Sequence, residues 1–463
     1  MDGDARTNSN IDITASILNL TYRPQLADLP KAVLRYAKQI WLDWIGVTIG
    51  GAQEPLVSIL IEDAIDQNGD GRLTVAGRSE KLTLPDAVLV NAACSHALDY
   101  DDGNPQMMGH SSVVIVPVLF SIAERQRSSG RQVIEALLAA HETAMRVGNL
   151  VTAPEVYPRG FHCTSLLGGF GAAVGGAHVM GLSQEQAAAA MSIAGSQAAG
   201  LQSVFGSMTK PLNAGRCALN GLMGARLAAR GFTVPLNLLG VRQGFADCFG
   251  TTLNSDKALA TPNGGYFILN NWFKFHAACQ QTHASAGAAL AFREKHDLPP
   301  AEITRIQVHI PAFADRICNI QEPYTALQMK FSVRAVVALV LLGYDTGDPS
   351  VYSEETARNP QFIAMRDKIA VTAHGDQDHA IGKLEVTTRD GRSLAANYHN
   401  EESRPGIDEQ ERLLLIKFRG LVTPMIGADR ADRLEAMIMS LETVQDFSEI
   451  AKLTALPTSN KHA

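Results

Sequence analysis

Gly168-Gly169-Phe170-Gly171-Ala172-Ala173-Val174-Gly175-Gly176-Ala177-His178-Val179-Met180-Gly181 decides how the first half of this chain folds. A run so crowded with Gly and Ala favours close helix–helix contact, because small side chains let two helix axes approach. Its surroundings agree. Val33, Tyr36, Ala37, Ile40, Trp41 and Trp44 recur at helix spacing and lead to a stop at Gly50-Gly51. Ser183-Gln184-Glu185-Gln186 has the form of a capping box, with Ser183 as N-cap and Gln186 at N3, opening an Ala-rich helix through about Ala194. Only short runs before Leu239 resemble strands, so the spacing predicts a helical bundle.

The composition changes at Thr261-Pro262-Asn263-Gly264-Gly265. Beyond it, Ile306, Val308 and Ile310 alternate as in a half-buried strand. Lys383 to Thr387, then Asp390-Gly391, then Ser393-Leu394-Ala395 reads as a hairpin with a Gly-containing turn. Helical patterns span His283 to Lys295 and Ser332 to Leu342. After Ser403-Arg404-Pro405-Gly406 the helix period returns, with Leu434, Met437, Ile438 and Leu441 on one face. The expected fold is therefore mainly α with an α+β part. With the last helices rejoining the first unit, residues 1–265 and 406–463 are expected as one helical domain and 266–405 as a smaller inserted α+β unit.

A chain of 463 residues exceeds what one core usually supports, and 46% hydrophobic residues suffice for a large buried interior. A formal net charge of −7 argues against nucleic acid or an anionic membrane as a partner. The six cysteines show no CxxC spacing, which predicts reduced thiols in a cytosol-like compartment. Met1-Asp2-Gly3-Asp4 lacks the basic and apolar regions of a signal peptide, and apolar runs such as Val336 to Leu342 are too short to span a membrane. These features predict a soluble cytoplasmic protein.

Four segments carry candidate chemistry. In Ala97-Leu98-Asp99-Tyr100-Asp101-Asp102-Gly103, with His110-Ser111-Ser112 beyond, three carboxylates and an imidazole sit inside apolar flanks. Near low-dielectric walls such groups acquire shifted pKa values suited to proton transfer; the alternative is a loop whose acids cap helices. In Arg159-Gly160-Phe161-His162-Cys163-Thr164-Ser165, Thr164 or Ser165 is placed to cap a helix, leaving His162 beside its N-terminus. In Met208-Thr209-Lys210-Pro211, Pro211 reads as the first helical residue. Lys210 then meets the positive helix end, which suits an anionic ligand or a side chain extended into water. In Trp272-Phe273-Lys274-Phe275-His276 through His283, the two histidines lie two turns apart if the segment is helical. No HExxH and no carboxylate at ligand spacing supports a metal there.

In this order and at these separations the segments, with Met329-Lys330-Phe331-Ser332, resemble the MmgE/PrpD family over residues 11–445. That family includes 2-methylcitrate dehydratase, cis-aconitate decarboxylase and iminodisuccinate epimerase. The resemblance implies a helical domain with an inserted α/β lid, a homodimer, an active site between the domains and no metal or organic cofactor. It carries Asp99, His110, His162, Lys210 and Lys274 over as catalytic positions, with Asp102, Gly103, Thr164, Thr209, His276 and Arg334 expected around the substrate. Departures are Gly103 where the decarboxylase branch has Thr, Asn213 after Lys-Pro-Leu, His276-Ala277 in place of an aromatic–proline pair, and Ala335 where a tyrosine is frequent. The loop from Gly103 to His110 is more like the epimerase branch. The resemblance implies a lyase that abstracts a proton and eliminates, as a dehydratase does, from a small di- or tricarboxylate. The alternatives are an epimerase and a non-catalytic carboxylate-binding member.

Overall fold

The small residues of the opening segment place helix backbones in direct contact. The computed structural model describes residues 12–250, 253–375, 378 and 380–457; the acidic start Met1–Asp4 lies outside them. The body is built from α1 (Lys31–Gly51), α2 (Leu84–Ser95), α3 (Ser112–Gln126), α4 (Gly130–Leu150), α5 (Cys163–Val179), α6 (Gln184–Gly195) and α7 (Thr209–Ala228). α5 runs through the middle and packs on α3, α4, α6 and α7. A Cβ at Gly171 would lie 2.6 Å from the Ala140 carbonyl oxygen, and one at Gly221 would lie 2.5 Å from the Ala172 Cβ. Glycine is required there by approach, not by dihedral angle. The Ser183 capping box forms, its hydroxyl accepting the Gln186 N–H at 3.1 Å while the Gln186 side chain accepts the Ser183 N–H at 2.9 Å.

The α/β unit holds α8 (His283–His296), β1 (Ile303–Pro311), α9 (Val333–Leu342), β2 (Ile369–His374), β3 (Ile381–Thr388) and β4 (Ser393–His399). The sheet order is β2-β1-β3-β4. β1 pairs parallel with β2, Ile306 opposite Ile369, and antiparallel with β3, Val308 opposite Leu384. Ile306, Val308 and Ile310 are buried, as their alternation predicts. The hairpin turns at Gly391, whose φ of 84° suits a residue without a Cβ. α8 covers β3 and β4, and α9 packs on α8.

The chain then returns through α10 (Ile407–Ile426) and α11 (Ala428–Met439), both against α1. Trp41 packs on Phe447 with ring centroids 5.1 Å apart, so both ends of the chain share one core. The molecule is thus mainly α with a smaller α/β part. Among the described residues no single helix is long and apolar enough to cross a membrane.

Two local expectations are corrected. α7 begins at Thr209 with Met208 as N-cap, which puts Pro211 third in the helix; its missing N–H is still free of cost, because first-turn donors have no intrahelical partner. Residues 276–282 are not one helix with α8. Backbone bonds from the Ala277 N–H to the Thr346 carbonyl (2.8 Å) and from the Cys279 N–H to the Lys330 carbonyl (2.9 Å) draw the segment away from helical pairing.

Candidate active site

Beyond α2 the chain turns sharply, and Asp99 takes a φ of 50°, a left-handed conformation unusual for a side chain other than glycine. Lysines hold the turn. Lys330 Nζ donates to the Leu98 carbonyl at 3.0 Å, Lys274 Nζ to the Asp99 carbonyl at 2.8 Å and Lys417 Nζ to the Tyr100 carbonyl at 2.6 Å. Three consecutive carbonyls are therefore anchored by three buried ammonium groups from remote segments. Lys417 is also paired with buried Asp43 at 2.6 Å. Burial pushes Lys330 down to about 8.

The turn aims the Asp99 carboxylate at two ammonium groups: Oδ1 lies 2.8 Å from Lys210 Nζ and 2.7 Å from Lys274 Nζ. Burial works to raise this carboxyl, but Lys210 and Lys274 outweigh it and hold it well below the usual carboxylate range. Burial likewise works against a charged Lys274, and Asp99 with Asp101 lifts it above its ordinary value. Of the two expectations for Lys210, an anionic ligand or a side chain extended into water, the second fails: the side chain is buried against Asp99, which supplies a negative charge from within the chain.

Next to this cluster three imidazoles gather. Asp101 bridges two of them, Oδ1 to His96 Nδ1 at 2.9 Å and Oδ2 to His110 Nδ1 at 2.7 Å. The His110 backbone N–H is accepted by Thr164 Oγ1 at 3.0 Å, which fixes the histidine against the start of α5. His162, and not Thr164 or Ser165, occupies the N-cap of α5. Its ring stacks on His96 with centroids 5.9 Å apart. Burial, reinforced by His96 and Lys210, holds His162 well below the usual imidazole range, so the ring is neutral; burial holds His96 at about 4. His162 Nε2 is buried and has no hydrogen-bond partner among the described residues. The Asn213 side-chain amide lies 3.4 Å from its Nδ1.

Asp99, His110, His162, Thr164 and Lys210 line one end of a cavity of about 290 Å³. Phe205, Trp272 and Phe331 also line it, as do the half-buried Tyr398 and the exposed Glu401 and Arg404. The helical body and the α/β unit both contribute. His276 lines the cavity too, hydrogen-bonded to Thr346 Oγ1 at 2.7 Å, and burial keeps it neutral at about 4.

Other expected site residues lie elsewhere. Lys274 is fully buried behind Asp99. Asp102, pushed up to about 7 by burial, is held by Ser112 and Asn271 away from the cavity. Gly103 meets Trp272 instead of open space: its N–H and carbonyl both pair with that residue at 2.9 Å, and a Cβ would lie 2.2 Å from the indole. Thr209 is exposed at the start of α7. Arg334 does not reach the cavity, because its guanidinium donates to Asn319 Oδ1 at 3.1 Å and to the Ile369 carbonyl, tying α9 to β2.

Sequence reading passed over Asp101, His96, Lys330 and Lys417 as members of the site. A signal existed for Lys417, a lone cation in the apolar run Leu413-Leu414-Leu415-Ile416-Lys417-Phe418. His96, Asp99, Asp101 and His110 bring ligand atoms within 4.8 Å of one another, a spacing that metals use. A cation there would face the Lys210 and Lys274 ammonium groups already on Asp99, so the donor set does not fit one.

The fold and this cavity define a two-domain protein whose site is made of imidazole, ammonium and carboxylate groups. The family model for the MmgE/PrpD N-terminal domain matches residues 16–256, that for the MmgE/PrpD C-terminal domain matches residues 276–443, and the chain belongs to this family. It is similar to cis-aconitate decarboxylase of Mus musculus, 25% identical over 97% of this chain and 95% of the relative. The cis-aconitate decarboxylase of Aspergillus terreus is 24% identical over 98% of each chain. That of Homo sapiens is 25% identical over 96% of this chain and 95% of the relative.

Proposed function

We propose that the chain is a lyase whose own side chains remove a proton beside a carboxylate and expel a group from the adjacent carbon of a small carboxylic acid. The observation that carries this reading is the pairing of a neutral, unpartnered His162 Nε2 with an Asp101-backed His110 on one cavity that also holds Lys210. Imidazole is suited to proton transfer near neutral pH.

In the elimination, His162 Nε2 takes the proton from the α-carbon, and the C–H electrons form the new double bond. The C–O bond breaks, and the departing hydroxyl leaves as water with a proton from His110 Nε2. Asp101, at 2.7 Å from His110 Nδ1, offers the charge partner that an imidazolium needs. Lys210 faces the substrate carboxylate and the negative charge that gathers on it. The Asn213 amide nitrogen faces His162 Nδ1 at 3.4 Å; turned over, the amide presents its oxygen, which accepts an Nδ1 proton and leaves Nε2 as the base.

The family resemblance supports a homodimer, and five buried cysteines among six free ones support a cytoplasmic setting. The packing of α10 and α11 on α1 supports the division into 1–265 with 406–463 and 266–405. Di- and tricarboxylates are the acids to screen first on the relatives' names, and those names favour a second reading, decarboxylation. One experiment separates the outcomes: incubation with a panel of carboxylic acids in D₂O, followed by proton NMR and CO₂ detection. Elimination gives a new vinylic signal without CO₂, decarboxylation releases CO₂, and epimerisation places deuterium on the α-carbon with no net loss. A panel without turnover or exchange in which ligand-dependent shifts persist overturns the catalytic reading in favour of a non-catalytic carboxylate-binding member.

A further inference from the structure

Two glycines make room for Tyr398. On β4 it is paired across the sheet with Gly382 of β3, and its ring lies over Gly287 of α8. A Cβ at Gly287 would stand 2.4 Å from Cδ1 and 2.6 Å from Cε1 of that ring. One at Gly382 would stand 1.9 Å from the Ala284 carbonyl oxygen, so this glycine lets the first turn of α8 down onto the sheet beside Tyr398. Neither glycine has the left-handed backbone that would call for it. In the interior of α8 glycine is a poorer helix former than alanine, and the seat of the Tyr398 ring accounts for its presence there.

The ring so held lines the same cavity as His110, His162 and Lys210, but it comes from the α/β unit and they come from the helical body. Its hydroxyl is not used inside the protein. Tyr22 and Tyr352 donate theirs to the Leu182 and Thr346 carbonyls at 2.8 and 3.2 Å, whereas among the described residues nothing hydrogen-bonds that of Tyr398. The α/β unit brings further polar groups to the cavity: Gln280 and Gln281 from a short helical turn, Asn400 and Ser403 from the linker between β4 and α10. A long amide side chain loses rotamer freedom when a ligand fixes it, and a loop places its groups less closely than a strand does. Tyr398 meets a ligand already in position. A neutral phenol donates to a carboxylate, hydroxyl or carbonyl oxygen without changing the charge of the cavity.

We propose that Tyr398, seated on Gly287, is a substrate-binding residue whose hydroxyl donates to an oxygen of the acid other than those of the carboxylate at Lys210. This rests on Lys210 and the two imidazoles being the reacting end. An acid held by Lys210 from the helical body and by Tyr398 from the α/β unit spans the two. Acids with a second oxygen-bearing group are therefore selected over acids without one.

The test is a ligand-observed NMR titration at neutral pH with butyrate, succinate, glutarate and citrate. Butyrate has one carboxylate and no other hydrogen-bond acceptor. Tyr398→Phe is expected to weaken at least one of the three polycarboxylates by about tenfold or more, the size of one lost hydrogen bond to a charged acceptor, and to leave butyrate unchanged. Gly287→Ala, whose new Cβ suits the helix but displaces the ring, is expected to weaken the same acids. Lys210→Met is expected to weaken all four, and a thermal melt of each variant shows that it is folded. A loss in Tyr398→Phe that is equal for all four acids, or no loss for any, overturns the role of the hydroxyl and leaves the site standing where Lys210→Met still weakens binding. Affinities that Gly287→Ala leaves untouched overturn the seat. Acids that bind regardless of Lys210→Met, or none that binds at millimolar concentration, remove the site reading itself and this inference with it.

Discussion

Lys274→Met is expected to destabilise the protein by about 3–5 kcal/mol, the usual cost of removing one partner from a buried ion pair. The ammonium group lies 2.7 Å from Asp99 Oδ1 and 2.8 Å from the Asp99 carbonyl, and nothing in the buried surroundings can replace it. Asp99 would be left with Lys210 alone in its left-handed turn. The loss depends on pH in a definite direction. Asp99 is depressed below its unfolded value, so its contribution is present above about pH 4 and fades as pH falls through the folded value. Lys274 is raised above its unfolded value, so its contribution is complete below about pH 10 and is lost as pH rises through its folded value. The variant's deficit is therefore a plateau between those limits that shrinks in acid. Denaturant unfolding at pH 3 and pH 7 checks this, and Asp99→Asn combined with Lys274→Met is expected to recover part of the loss. An equal deficit at both pH values would deny the ion pair its role.

His162→Gln is expected to lower kcat by about 10²–10⁴-fold, the range attached to one positioned acid or base, on the acid that the NMR panel shows to be turned over. KM is expected to change little, since Lys210 and the aromatic side chains lining the cavity remain. A base kept neutral by burial loses activity only when pH falls through its depressed value, so the acid limb of the wild-type pH–rate profile lies below the ordinary imidazole value of about 6.5. In His162→Gln that limb disappears. A variant that keeps the wild-type limb would assign the base to another group.

The body of the fold was legible because its signals are local. The glycine–alanine run states how close the neighbours of α5 come, and Ser183 with Gln186 marks a helix start by chemistry that needs no partner. The alternation through Ile306, Val308 and Ile310 has the same character. The site was legible in part. Asp99, His110, His162 and Lys210 stand in short motifs, and they meet at one end of the cavity.

What escaped is what tertiary contact decides. His276 and His283 keep a helical spacing in sequence, yet bonds to the Thr346 and Lys330 carbonyls break the helix between them while leaving the rings 5.1 Å apart. Arg334 looks like a carboxylate anchor beside a family motif, but it is spent on the Asn319 side chain and the Ile369 carbonyl; the cation from that motif that reaches the site is Lys330. Gly103 is small because the Trp272 ring covers it, and a tryptophan so far along the chain sends no signal back to its neighbour. The anchoring of three carbonyls by Lys274, Lys330 and Lys417 follows no spacing rule.

The most direct measurement is an NMR titration with the imidazole ¹⁵N nuclei of His110 and His162 observed as a carboxylate ligand is added. Two rings and one ammonium group on a single cavity predict that both histidines shift with one common Kd, and that neither shifts in Lys210→Met. Rings that respond with different affinities, or that respond unchanged without the lysine, would show that these groups do not serve one bound acid.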